Sequence, residues 1–155
     1  MEILSYWRAY HVDSLDDAYE IVEKYGKQID NNILLAKRLK RTESIVNKIK
    51  RLKGKLQLTT MNDIAGCRAI LPTQREVNKL VGKLVKKKKF KIFNNYISTP
   101  KESGYRSIHM IGSFEEVSSS KILQVELQVR TYVQHSWVTA VEIVDLFTKD
   151  SIKTN

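Results

Sequence analysis

Four polar clusters in this 155-residue chain combine residue types and spacings that could do chemistry. The first is Arg38-x-Lys40-x-x-x-Ser44-x-x-x-Lys48. Free amides at a helix N-terminus attract phosphate, and a serine hydroxyl in the first turn adds a donor. Lys48 falls one turn beyond Ser44 on the same helix face. With Arg38 and Lys40 on the segment before, the set could cradle a triphosphate. The glycines of a Walker A loop are missing, and a basic, solvated helix start accounts for the same residues. The second cluster is Asp63 with Arg68. A carboxylate at the mouth of a strand can reach a magnesium ion that bridges phosphates. Arg68 interrupts a small, apolar segment, where an unpaired guanidinium is costly. It could lie flat on a purine ring, or form an ordinary ion pair with Asp63.

The third cluster is Pro100-Lys101-Glu102-Ser103-Gly104-Tyr105-Arg106-Ser107-Ile108-His109. Gly104 permits a sharp turn or the close approach of a ligand. If the chain is extended beyond it, Tyr105, Ser107 and His109 share one face. A ring, a hydroxyl and an imidazole in line could stack a base and bind a ribose or phosphate. A partly buried tyrosine and a satisfied histidine are the plain alternative. The fourth cluster is Val125-Glu126-Leu127-Gln128-Val129-Arg130, which alternates strictly. A side-chain period of two puts Glu126, Gln128 and Arg130 in a row on one face of a half-buried strand. A solvated face explains this stretch alone; the other clusters look made for the same face.

These residues need elements to hold them. Residues 1–11 read as a short amphipathic helix or cap. Ser14 is a good N-cap, with Asp16 and Asp17 in the first turn of a helix that carries Leu15, Ala18, Tyr19 and Val22. Gly26 interrupts it. Leu34 to Leu39 looks extended, and a helix through Ser44, Ile45, Lys48, Ile49 and Leu52 follows until Gly54. Ile64 to Leu71 reads as a strand stopped by Pro72. Thr73 caps a helix through Val77, Leu80, Val81 and Leu84, with Lys86 to Lys89 as its basic end. Strands at Phe90 to Ile97, Tyr105 to Phe114 and Ile122 to Arg130 come next, the last two joined by a polar link at Glu115 to Ser120. Thr131 caps a final helix with an apolar stripe of Val133, Trp137, Ala140, Val141 and Val144. The order points to a mixed, roughly five-stranded sheet with helices packed on its faces, in the α/β or α+β class.

The composition sets bounds. Hydrophobic residues make up 42%, enough for a core in one domain. No apolar run approaches the length of a membrane span. Glu2, Trp7 and Arg8 stand where a signal peptide needs an apolar core. Cys67 is the only cysteine, so no internal disulfide or cysteine zinc site is available. A cytoplasmic protein without a membrane partner fits these facts. Net charge is +10, which favours polyanionic partners such as nucleotides or RNA. Residues 37–55 hold nine lysines and arginines against the single acid Glu43.

Taken in order, Arg38-Leu-Lys40-Arg-Thr-Glu-Ser44-Ile-Val-Asn-Lys48, Met61-Asn-Asp63-Ile-Ala-Gly66-Cys-Arg68, Tyr96-Ile-Ser-Thr-Pro100-Lys101-Glu-Ser-Gly104-Tyr105-Arg-Ser107-Ile-His109 and Val125-Glu126-Leu-Gln128-Val-Arg130-Thr131 resemble the synthetase domain of the RelA/SpoT family. The resemblance covers residues 34–148, leaving 1–33 as N-terminal helices before a catalytic core. It implies a nucleotidyltransferase-like fold and a Mg2+-dependent pyrophosphokinase. Such an enzyme moves the β,γ-diphosphate of ATP onto the ribose 3′-hydroxyl of GDP or GTP. By position, Arg38 and Arg68 would sandwich adenine, and Lys40, Ser44 and Lys48 would hold the ATP phosphates. Asp63 and Glu126 would bind magnesium, with Glu126 also a candidate base. Tyr105 would stack the acceptor guanine. Lys101, His109, Gln128 and Arg130 would serve phosphates or the network around them.

The chain lacks the His-Asp motif of the family's hydrolase domain and its regulatory region, so it resembles the small, stand-alone synthetases. Those carry more helix beyond the point where this chain stops at Asn155. A C-terminal truncation is therefore expected, which leaves homo-oligomer formation open. Residues 134–142 look closer to the toxic small synthetases, which pyrophosphorylate the 3′ CCA end of tRNA and are neutralised by an antitoxin. That is the second reading. A third is a catalytically inactive nucleotide- or RNA-binding module.

Overall fold

A computed structural model describes residues 2–53, 55–115 and 121–148. The elements are helices α1 (Glu2–Ala9) and α2 (Val12–Lys27), strand β1 (Leu34–Leu39), helix α3 (Thr42–Arg51), strand β2 (Ala65–Leu71), helix α4 (Gln74–Lys86), strands β3 (Lys91–Asn95), β4 (Ile108–Glu115) and β5 (Ile122–Thr131), and helix α5 (Tyr132–Thr148). A 3₁₀ turn at Leu58–Thr60 precedes β2. The strands form one five-stranded sheet in the order β1-β2-β5-β4-β3. Only β2 and β5 run parallel, in a register of Gly66 with Glu126, Arg68 with Gln128 and Ile70 with Arg130. The other pairs are antiparallel. This is the mixed sheet expected from the element order.

The alternation in β5 sets which face is covered. Val125, Leu127 and Val129 are fully buried against a core that includes Leu15, Ala18 and Val22 of α2 and Val77, Leu80 and Leu84 of α4. Burying a side chain such as Leu127 contributes about 1.5–3 kcal/mol. A second, smaller core of Ile45, Met61 and Ile64, with Leu4, Trp7 and Ile49 packed on it, holds α1 and α3 together. Helix starts follow the caps read from sequence. Thr73 Oγ1 accepts from Glu76 N at 3.3 Å while Thr73 N donates to the Glu76 carboxylate. Thr131 Oγ1 accepts from Gln134 N at 3.2 Å, and Gln134 Oε1 accepts from Thr131 N.

Four expectations need correction. Ser14 is not an N-cap: Leu15 N donates to His11 O at 3.0 Å, so α2 begins at Val12 and buries Ser14. Gly26 does not interrupt α2 but lies inside it, where a Cβ would come 2.7 Å from Ile33 Cδ1; its bareness lets the chain entering β1 pack close. The strands around the third cluster are shorter than expected. β3 ends at Asn95, whose Oδ1 accepts from Ile97 N and Ser98 N and turns the chain, and Tyr105 to Ser107 precede β4. Finally, the buried residue of α5 is Val138, while Val133 is 78% exposed and Val144 is also exposed. Gly54 and the link at 116–120 lie outside the described residues. Among the described residues, no helix is long and apolar enough to cross a membrane.

Candidate active site

The face of β5 away from α2 and α4 carries the polar row. Beside it stand the residues that the register of β1, β2 and β4 aligns: Arg38 opposite Gly66, Ala36 opposite Arg68, and His109 opposite Gln128. Small residues at 36 and 66 leave the floor low. The result is a cleft of about 260 Å³ lined by Arg38, Lys40, Asp63, Arg68, Glu126 and Gln128, together with Ala36, Lys37, Gly66 and Cys67.

One end of the cleft is built around Asp63. Lys40 N donates to Ile64 O at 2.8 Å, and Arg8 Nε donates to Lys40 O at 2.7 Å. This clamps the end of β1 beside the start of β2. Lys40 Nζ donates to Asp63 Oδ2 at 2.9 Å. Lys48 Nζ, from α3, lies 2.9 Å from Oδ1, as an ion pair and not as an aligned hydrogen bond, since Oδ1 is buried without an aligned donor. Burial acts most strongly on the Asp63 carboxyl and opposes ionisation. The two lysines together outweigh it and hold the carboxyl below its ordinary range. The Asp63–Arg68 ion pair considered from sequence does not form among the ion pairs of the described residues.

The middle of the cleft is a relay of hydrogen bonds. The Tyr105 hydroxyl donates to His109 Nε2 at 2.7 Å, His109 Nδ1–H donates to Glu126 Oε1 at 2.9 Å, and Gln128 Nε2 donates to Glu126 Oε2 at 3.0 Å. Burial is again the largest influence on Glu126 and raises its pKa. The donors from His109 and Gln128 reverse it, leaving the carboxyl below its usual value. Glu126 is therefore an ionised, oriented carboxylate at neutral pH. Burial raises the pKa of Tyr105, and Lys101 Nζ lies 5.2 Å from the centre of the Tyr96 ring and 5.7 Å from that of Tyr105, within the range of a cation–π contact.

Arg68 lines the cleft; Arg130 does not, but lies close enough to Arg68 for their charges to repel. Burial lowers the Arg68 pKa, with Arg38 adding to the effect. Arg130 is 1% exposed and burial brings it down to about 10, with Arg68 the next influence.

Of the predicted residues, Arg38, Lys40, Asp63, Arg68, Glu126 and Gln128 line the cleft; Lys48 pairs with Asp63, and Tyr105 and His109 bond in series to Glu126, with Lys101 beside the Tyr96 and Tyr105 rings, whereas Arg130 is buried outside the lining. Ser44 sits in the first turn of α3 but is exposed and outside the cleft lining. Ser107 is buried and donates to Val129 O at 3.3 Å, so it supports β5 from within and is not on the open face. Tyr96 has no role in the sequence reading, yet its ring meets Tyr105 edge-on at 5.7 Å and His109 at 5.1 Å. An aromatic residue just before the third cluster was the available signal.

The family model described as "Region found in RelA / SpoT proteins" matches residues 37–144. The chain is 35% identical over 107 residues to GTP pyrophosphokinase YjbM of Bacillus subtilis (strain 168), covering 66% of this chain and 51% of the relative. It is 31% identical over 151 residues to GTP pyrophosphokinase YwaC of the same organism, covering 89% of this chain and 70% of that one. The chain thus spans about half the length of the first relative. Among solved structures, it superimposes on small alarmone synthetase 1 from Bacillus subtilis bound to its product pppGpp, with a TM-score of 0.79 and 25% identity. That match covers 94% of this chain and 82% of the other.

Proposed function

This chain belongs to the RelA/SpoT family, and we propose that its cleft transfers the β,γ-diphosphate of ATP to the ribose 3′-hydroxyl of GDP or GTP. The observation that carries this reading is the pairing of two ionised, half-buried carboxylates, Asp63 and Glu126, with lysines on one side and a hydrogen-bonded tyrosine and histidine on the other. Diphosphate transfer asks for alignment and charge neutralisation more than covalent chemistry. Lys40 and Lys48 hold the ATP phosphates, with Ser44 at the edge, and Arg38 and Arg68 flank adenine. Tyr105 stacks the acceptor guanine, Lys101 neutralises phosphate charge, and Gln128 and His109 fix Glu126.

The acceptor 3′-oxygen attacks the β-phosphorus, the bond from that phosphorus to the α-phosphate oxygen breaks, and AMP leaves. Glu126, ionised and facing the cleft, takes up the proton of the 3′-hydroxyl. Asp63 and Glu126 also fit magnesium: Oδ1 of Asp63 is buried and lacks an aligned donor. No group of three or more His, Cys, Asp or Glu side chains gathers among the described residues. Asp63 and Glu126 would hold the ion, and they lie close enough for Asp63 to act on Glu126. Magnesium, when bound, would neutralise phosphate charge.

The second acceptor reading, the 3′ end of tRNA, draws on the +10 net charge. The exposed Leu146 and Phe147 at the end of α5 support a partner there, either a second copy or a neutralising antitoxin. A cytoplasmic setting follows from nucleotide substrates. The test is incubation of the protein with γ-labelled ATP and either GDP or deacylated tRNA. Label in a guanosine nucleotide with release of AMP is expected. Label on tRNA alone overturns the first reading, and binding without transfer to either leaves a nucleotide-binding module.

A further inference from the structure

Lys40 is held on both sides of its backbone. Its N donates to Ile64 O at 2.8 Å, and its carbonyl accepts from Arg8 Nε at 2.7 Å, across 32 residues of sequence. The first bond ties Lys40 to the start of β2. The second comes from α1, which lies outside residues 37–144, the span that the family model matches, and which carries no residue of the transfer reading. Arg8 is half-buried and is itself anchored. Its own carbonyl accepts from His11 N at 3.1 Å, and His11, the residue before α2, is buried.

The rest of α1 serves the same end of the cleft. A helix of eight residues is marginal by itself in water, so packing must hold it. Leu4 and Trp7 pack on Ile45, Met61 and Ile64, while Ile3 and Tyr6 are exposed. That small core brackets the donor-phosphate residues. Met61 and Ile64 stand on either side of Asp63 in the chain, and Ile45 and Ile49 on either side of Lys48. Lys40 and Lys48 both reach the Asp63 carboxylate. Three groups from separate stretches of chain thus meet above a core that α1 covers, and Arg8 joins α1 directly to one of them.

Resting on the transfer reading above, we propose that Arg8 is a positioning residue for ATP: its Nε–H holds the Lys40 carbonyl and so fixes where the Lys40 ammonium stands toward the donor phosphates. Binding of a phosphate by fixed charges depends on where each nitrogen sits, and the bonds that lock the supporting backbone set that placement. The role belongs to the donor atom and not to the charge of the guanidinium.

That distinction gives the test. Glutamine places its Nε2 the same number of bonds from Cα as arginine Nε, without the charge. Lysine keeps the charge but carries its nitrogen one bond further out, and methionine fills the length with no donor. The Kd for ATP, kcat, and the KM values for ATP and GDP are measured for the wild type, Arg8→Met, Arg8→Gln and Arg8→Lys, with thermal melting to confirm that each is folded. Arg8→Met should raise the Kd and KM for ATP about fivefold, the loss of one hydrogen bond, and leave the KM for GDP within about twofold. Arg8→Gln should bring the Kd for ATP back to within about twofold of wild type, and Arg8→Lys should lie nearer Arg8→Met. A merely structural role would lower the melting temperature and kcat of Arg8→Met and leave the Kd for ATP of the folded protein unchanged, and that result overturns the proposal. Tighter ATP binding by Arg8→Lys than by Arg8→Gln also overturns it, since charge and not the bond to Lys40 would then matter. A wild type that binds ATP but transfers to no guanosine nucleotide overturns the transfer reading alone; the ranking of Kd values still decides this inference. A wild type that does not bind ATP overturns both.

Discussion

On β5, the side chains that point toward α2 and α4 and those that point away occupy different physical regimes, although they alternate along one strand. Val125, Leu127 and Val129 are fully buried among apolar side chains. Glu126 and Gln128 are half-buried and bonded to each other, Glu126 also to His109, and Arg130 is buried without a hydrogen-bond partner. The first face is saturated: every group has what it needs from the protein. The second holds back Arg130 and Arg68 Nε, which find no hydrogen-bond acceptor in the protein. Folding is secured on one side of the strand, and on the other some stability is given up for a ligand.

That contrast can be broken or sharpened by substitution. On the covered face, Leu127→Ala should lower stability by about 2–5 kcal/mol, read as a shift in denaturant midpoint; a change below that range would mean the face is less tightly packed than described. Gly112→Ala adds a Cβ 2.6 Å from Phe114 and 2.7 Å from Phe90, and since both rings are buried it should cost about 1–3 kcal/mol. On the open face the sign should reverse. Arg130→Met removes a buried charge that has no hydrogen-bond acceptor and should raise stability by about 1 kcal/mol or more, visible as a higher melting temperature. Destabilisation there would show that Arg130 has a structural partner after all. The smallest effect is expected at Cys67, which lines the cleft floor but is buried, with its thiol pushed up to about 12 by burial. The thiolate is the reactive form, so alkylation at pH 8 should be undetectable in the native protein and rapid after unfolding.

Much of this division was legible in the residues. Alternation named the faces of β5, and an apolar run ending in Lys37 and Arg38 marked β1 with its observed bounds. Thr73 and Thr131 announced their helices because each has a Glu or Gln three residues on to complete the cap. Local pattern failed where two local signals competed or where tertiary contact decided. Ser14 looked like a cap, but the backbone of His11 started the helix earlier. The helical stripe on α5 showed which residues share a face, but not that Val133 and Val144 on it stand exposed. The same period of two that placed Arg130 in the polar row gave no hint that it is buried, because that depends on how the chain around β5 packs over it. Tyr96 became part of the site only through the turn that Asn95 makes.

The claim that the open face of β5 carries the transfer chemistry is tested most directly by Glu126→Gln, with ATP binding and single-turnover transfer to GDP measured on the same preparation. The substitution keeps the volume and removes the negative charge. Transfer should fall by about a hundredfold or more, with the Kd for ATP within about threefold of wild type. Transfer at near wild-type rate in a protein that still binds ATP would contradict the account.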